Sequence, residues 1–222
     1  MQQRTGEMQL RRSLIALTAA CFVLGGAAKA SDNVNWRWKS PFQPCNGDCA
    51  FTFYAGPSVQ TNVQNIFFHG IPPWSWKLDK GGIVAGAASR RIATVFNVFD
   101  IEAEIGIGQR FGNMHETEFW EAIYVRYTDF PWNKWLYTTF AMSTGFNYAT
   151  GISDFEKVVG QLDPPGGTHI MHFWSPEITF ALPDRKNLQL VFRLHHRSGF
   201  YGLVSGAFSG ASYLTVGLRF WF

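Results

Sequence analysis

His196 and Ser198 are the two residues whose types and spacing could do chemistry, within His195-His196-Arg197-Ser198 at the end of the alternating segment Leu188–Ser198. An imidazole can take the proton of a hydroxyl and turn its oxygen into a nucleophile for acyl transfer. In a strand, residues two apart point to the same side and lie about 7 Å apart along the chain, near enough for side-chain contact. Extending the period of Leu188, Leu190, Phe192 and Leu194 puts His196 and Ser198 on the apolar side, and Arg193, His195 and Arg197 on the other. A bare His-x-Ser arises by chance, and His, Ser, Arg and Tyr are ordinary at a membrane interface. The pair therefore gains weight only from the element that carries it.

That element is one of eight strand-like segments, approximately Ala50–Val59, Gly82–Phe96, Phe99–Phe111, Phe119–Asp129, Trp135–Tyr148, His169–Leu182, Leu188–Ser198 and Ala211–Phe222. In the last, Leu214, Val216, Leu218, Phe220 and Phe222 share one face. On the third, Phe99, Ile101, Ala103, Ile105 and Ile107 oppose Asp100, Glu102, Glu104, Gly106 and Gly108. Short links such as Asn97-Val98 and Pro183–Asn187 alternate with long ones such as Gln60–Gly81 and Ala149–Thr168, the asymmetry of a membrane barrel. Aromatic residues make up 17% of the chain, and no helix-length apolar run follows residue 30. The fold expected is all-β, an eight-stranded antiparallel transmembrane β-barrel. Glu102, Glu104, Arg126, Glu177, Arg193 and Arg219 all point inward on this register, and a paired plug of charges argues against a conducting pore. The final strand, ending on Phe222, resembles the closing strand of bacterial outer-membrane barrels, whose terminal aromatic is read by the barrel assembly machinery.

The first thirty residues read as a cleavable signal peptide. Arg11 and Arg12 precede an apolar stretch from Leu14 to Ala28 that is too short to span a bilayer, and Ala28-Lys29-Ala30 has the form of a cleavage site. A twin-arginine signal at Arg11-Arg12 and a lipoprotein cysteine at Cys21 are weaker readings of the same stretch. The expected organisation is a signal peptide at 1–30, a periplasmic lead-in at 31–48 and the barrel at 49–222. Arg4, Arg11, Arg12, Lys29 and Glu7 leave with the signal, so 19 basic against 16 acidic residues become 15 against 15. With no clustered positive face, nucleic acid is not an expected partner. Cys45 and Cys49 are expected to form a small disulfide loop in an oxidising compartment. No metal or other cofactor is expected: His69, His115, His169 and His172 lack spaced acidic partners, and the rings of His169 and His172 fall on opposite faces of a strand.

With strand count, motif strand and ending in place, the chain resembles the outer-membrane lipid A 3-O-deacylases. These are eight-stranded barrels with a His-x-Ser-Asn motif on the lipid-facing wall of the penultimate strand. The resemblance implies an outer-membrane hydrolase that removes an ester-linked acyl chain from lipid A or lipopolysaccharide, with Ser198 as nucleophile and His196 as base. Two features depart from it. Gly199 stands where the family has an oxyanion-stabilising asparagine, leaving the backbone there as the candidate. No Asp or Glu follows Asp184, so the orienting glutamate is missing. Glu177 points inward, and Ser209 and Ser212 are neutral candidates. Arg197 and His195, with Arg90-Arg91, are candidates for lipid A phosphates. The alternative is a non-catalytic barrel with a structural or surface-binding role. N-terminal sequencing of the protein from outer membranes is expected to begin at Ser31, and a start at Met1 or a lipidated Cys21 would contradict the signal reading.

Overall fold

The computed structural model describes residues 35–40, 42–159, 167–200, 202–207 and 210–222. The expected signal peptide and Ser209 lie outside these. The strands are β1 (Trp36–Trp38), β2 (Cys49–Val59), β3 (Leu78–Val95), β4 (Phe99–Phe111), β5 (Thr117–Tyr127), β6 (Tyr137–Ala149), β7 (Ile170–Trp174), β8 (Glu177–Ala181), β9 (Leu188–Ser198) and β10 (Ser212–Trp221). Among the described residues two short α-helices, α1 (Val63–Phe68) and α2 (Asp154–Val159), sit in the long connections.

From β2 to β6 each strand pairs antiparallel with the next, β7 and β8 both lie between β6 and β9, and β9 pairs with β10, which pairs back onto β2, so the wall closes on itself. β7 and β8 occupy a single lane. Trp174 pairs with His196 and Glu177 with Arg193, and pairing resumes in the same register after the Ser175-Pro176 interruption. Proline has no N–H to give the ladder, which is why one strand in the sequence becomes two pieces of one wall. The wall is therefore eight-stranded. Part of the lead-in also pairs: Trp36–Trp38 lies antiparallel to Ala93–Val95, a three-residue strand too short to show alternation in sequence.

The burial is inverted relative to a soluble protein. Phe51, Phe53, Ile105, Ile107, Val125, Leu190, Leu218 and Phe220 are exposed on the outer face, whereas Glu102, Glu104, Arg126, Glu177, Arg193 and Arg219 are buried inside. An apolar exterior around a polar, closed interior is the arrangement of an outer-membrane β-barrel. The outer face does carry Glu121, near the middle of β5.

The lumen is filled by a charge-balanced network. Glu177 takes Arg126 at 2.7 Å, Arg193 at 2.6 Å and Arg219 at 2.6 Å, while Glu102 binds Arg126 at 2.6 Å and Glu104 binds Arg193 at 2.9 Å. A second cluster lies nearer the long loops. There Arg110 joins Glu118 at 2.6 Å and Glu156 of α2 at 3.0 Å, tying that connection into the barrel mouth.

The turns at 96–98, 128–136 and 182–187 share one end with the Cys45–Cys49 disulfide. Asn46 and Gly47 turn that loop with φ of 43° and 85°, and the Gly47 N–H donates to the Phe222 carbonyl at 2.9 Å. The Phe222 N–H donates in turn to the Cys49 carbonyl at 2.9 Å. The long connections, including those with α1 and α2, gather at the other end.

Glu177→Gln would leave three buried guanidinium groups short of their shared counter-charge. Removing one member of a buried ion network costs about 3–5 kcal/mol. Denaturant unfolding in micelles, followed by tryptophan fluorescence, should show a loss of that order.

Candidate functional site on the outer wall

β9 presents Leu188, Leu190 and Phe192 outward with 51%, 40% and 36% exposure, but Leu194 falls to 5% and His196 to 7% on the same face. A lipid-facing strand left bare would stay exposed along its length, so its outer end is covered. The cover includes the β2–β3 connection. Asn62 caps α1 by accepting the Gln64 N–H at 2.8 Å, and Phe67 packs edge-on against Trp174 of β7 with ring centroids 5.0 Å apart. A helix of six residues does not persist alone; Phe67 on Trp174 is a contact that holds it to the wall. Between α1 and the wall lies a pocket of about 360 Å³, lined among others by Gln64, Phe67, Met142, His172, Trp174, His196 and Ser198. Its mostly apolar lining and size suit a small-molecule site.

Within the pocket the His196 ring is fixed from both sides. Its Nδ1 lies 2.8 Å from the Oγ of Ser212, its cross-strand partner on β10, and Trp174, its partner on β7, stands edge-on with centroids 6.3 Å apart. Ser212 is itself buried. A hydroxyl, and not a carboxylate, thus holds the ring at Nδ1. When the Nδ1–H donates to Ser212, Nε2 is the basic nitrogen.

Ser198 shares the outward face with His196 and is partly exposed. Its Oγ accepts the Phe200 N–H at 3.4 Å. Directly opposite on β7 is His172, whose Nε2 lies 2.9 Å from the Thr144 hydroxyl on β6. Ser198 therefore has an imidazole two residues back on its own strand and another across the ladder.

Gly199 has a steric reason to be glycine. A Cβ there would lie 1.6 Å from the Ala207 carbonyl oxygen, and the Gly199 carbonyl accepts the N–H groups of Gly202 and Val204, both at 3.1 Å. An asparagine could not stand at this position without opening the turn, so any oxyanion donor at 199 must be backbone.

The phosphate-binding candidates lie elsewhere than headgroup binding requires. His195 is fully buried in the lumen, its Nδ1 2.8 Å from the Tyr54 hydroxyl and its Nε2 2.9 Å from Glu118. Arg197 is also fully buried, donating to the Thr168 and His169 carbonyls at 2.7 and 3.0 Å, with Glu156 3.4 Å away. Both follow from strand alternation, which sends neighbours of outward residues inward. Arg90 donates to the Ser40 and Gln43 carbonyls and Arg91 pairs with Asp48 and Asp100, both at the disulfide end and away from Ser198. Glu177 is committed to the lumen arginines.

Sequence reasoning found His196 and Ser198 and named Ser212 as one of two neutral candidates. It read His172 only as a poor metal ligand and gave α1 no role at the site. Pairing of β7 with β9 would have exposed His172, but that register depends on counting through Ser175-Pro176.

No protein-family profile matches the chain, nor does any curated protein. Among solved structures, a barrel titled "De novo design of transmembrane beta-barrels" is similar at a TM-score of 0.45 and 12% identity, over 84% of this chain and 100% of the other. Neisserial surface protein A (NspA) is similar at 0.46 and 11% identity, over 81% of this chain and 100% of that one. The barrel assignment stands on the strand pairing and inverted burial of this chain itself.

Gly199→Asn is expected to open the turn between β9 and β10. Limited proteolysis of the folded barrel in micelles should then cut within residues 199–211, where the wild type resists.

Proposed function

We propose that the outer-wall pocket is an esterase site that removes an ester-linked acyl chain from an outer-leaflet lipid, in the manner of the lipid A 3-O-deacylases. The observation that carries this reading is the fixed His196 ring, held through Nδ1 by Ser212, on the same outward wall as Ser198 and inside an apolar pocket. A reactive serine facing lipid has no use for a soluble substrate. At the outer end of β9, it lies near the headgroups and upper acyl chains, where the ester bonds of lipid A are found.

In this reading the Ser198 Oγ attacks the ester carbonyl carbon while His196 Nε2 takes the hydroxyl proton. The tetrahedral intermediate collapses, the bond from carbon to the sugar oxygen breaks, and the proton passes from His196 to that oxygen. The acyl group remains on Ser198 until water releases it. A hydroxyl orienter fixes the ring and its tautomer but adds no negative charge to stabilise the imidazolium. Loss of the carboxylate from a Ser-His-Asp triad lowers kcat about 10⁴-fold, so this site should be a slow esterase.

The second reading, a non-catalytic surface-binding barrel, is favoured by the exposed aromatics of the outer connection, Phe68 at 79% and Trp74 at 87%. Mass spectrometry of lipid A from cells expressing each form separates the two. The wild type is expected to yield lipid A lacking one acyl chain, and Ser198→Ala and His196→Ala to restore full acylation. Ser212→Ala should slow the reaction about tenfold, the worth of one hydrogen bond to the ring. Identical acylation in wild type and Ser198→Ala would remove the esterase reading and leave the binding barrel.

A further inference from the structure

The wall offers Ser198 two imidazoles that differ in access to water. Directly opposed residues of an antiparallel pair have Cβ atoms about 4.5–5.5 Å apart, closer than the roughly 7 Å between alternate residues of one strand. By the β7–β9 register, His172 is opposite Ser198, and Trp174 is opposite His196. β7 descends from the outer loops, so His172 sits one step nearer water than the level of His196. His196 is 7% exposed, with Trp174 edge-on to it and Phe67 of α1 against Trp174. His172 is only half-buried, and its bond to Thr144 is at an exposed position.

Hydrolysis through an acyl-serine needs a proton accepted twice, first from the serine hydroxyl and then from water. The first transfer needs no solvent. The second needs a base that water can reach. Resting on the esterase reading, we propose that His172 is this second base, activating the water that releases the acyl group from Ser198. With its Nε2–H donated to Thr144, Nδ1 is the basic nitrogen. Water oxygen bonds to the acyl carbonyl carbon as His172 takes the water proton. The bond from carbon to Ser198 Oγ breaks, the proton passes from His172 to Oγ, and the free fatty acid leaves. Both imidazoles end neutral, as they began, and no other reactant is consumed.

The test is pre-steady-state hydrolysis of a p-nitrophenyl ester of a long-chain acid by the full chain in micelles. His172→Gln should release nitrophenol in a burst at the wild-type rate and then turn over about 10²–10³ times more slowly, the worth of a general base. Intact mass should show the acyl adduct, mapped to Ser198, and hydroxylamine, which attacks without a base, should restore turnover. Thr144→Val, which keeps the ring, should accumulate the same adduct to a smaller extent and serves if His172→Gln fails to fold. Unchanged turnover with no adduct in either variant, or burst and steady rate falling together, would overturn the role of His172. Nitrophenol release by Ser198→Ala equal to wild type would instead overturn the esterase reading itself.

Discussion

The constraint on which this protein depends is the narrowness of an eight-stranded barrel. Side chains fill such an interior, so inward polar groups cannot rely on bulk water and must satisfy one another. Glu102, Glu104 and Glu177 meet Arg126, Arg193 and Arg219 one for one. The six come from β4, β5, β8, β9 and β10, so their pairing ties together strands far apart in sequence. A slip of one residue in any of these strands would turn its charges into lipid and its Phe and Leu residues into the lumen. The network thereby specifies register more than it adds stability, since buried ion pairs spend much of their attraction on desolvation.

Register then decides the chemistry of the outer wall. Arg193 on β9 is fixed to Glu104 and Glu177, and from that anchor alternation sends His195 and Arg197 inward and His196 and Ser198 outward. The same frame sets His196 against Ser212 on one side and Trp174 on the other. Side chains on strands of a closed barrel are held more rigidly than on loops, which suits the proposed esterase, whose reacting atoms must hold position. The pocket also needs α1, a loop element whose hold on the wall includes the packing of Phe67 on Trp174.

Much of this was legible in the chain. The bounds of β4 and β9 coincide with those read from alternation alone, because each strand opens on a run of apolar residues at alternate positions, Phe99 to Ile107 and Leu188 to Leu194. The lumen charges were legible for the same reason. Three things were not. The break at Ser175-Pro176 is invisible to periodicity, since the register continues across it. The cluster of Arg110, Glu118 and Glu156 requires the β6–β7 connection to fold back into the mouth, a contact without local signal. His172 becomes a neighbour of Ser198 only through a cross-strand pairing 26 residues away in sequence. Alternation names the face of a residue, whereas its partners depend on the sum of all intervening register.

The neutral partner of His196 follows from the same physics. A carboxylate beside that ring would stand on a face that is apolar along the rest of β9 and would be covered by α1. An ionised carboxylate without cationic partners is costly in such surroundings, and a buried acid tends to hold its proton instead. The arginines that could have balanced it, Arg193 and Arg197, are turned inward by alternation. A hydroxyl at Ser212 holds the ring at 2.8 Å without a charge to desolvate. The consequence is a ring oriented by a neutral hydrogen bond, which under the proposed esterase reading lacks the electrostatic assistance an acid would give. In the proposed esterase the half-exposed His172, across the ladder from Ser198, is the base that water can reach.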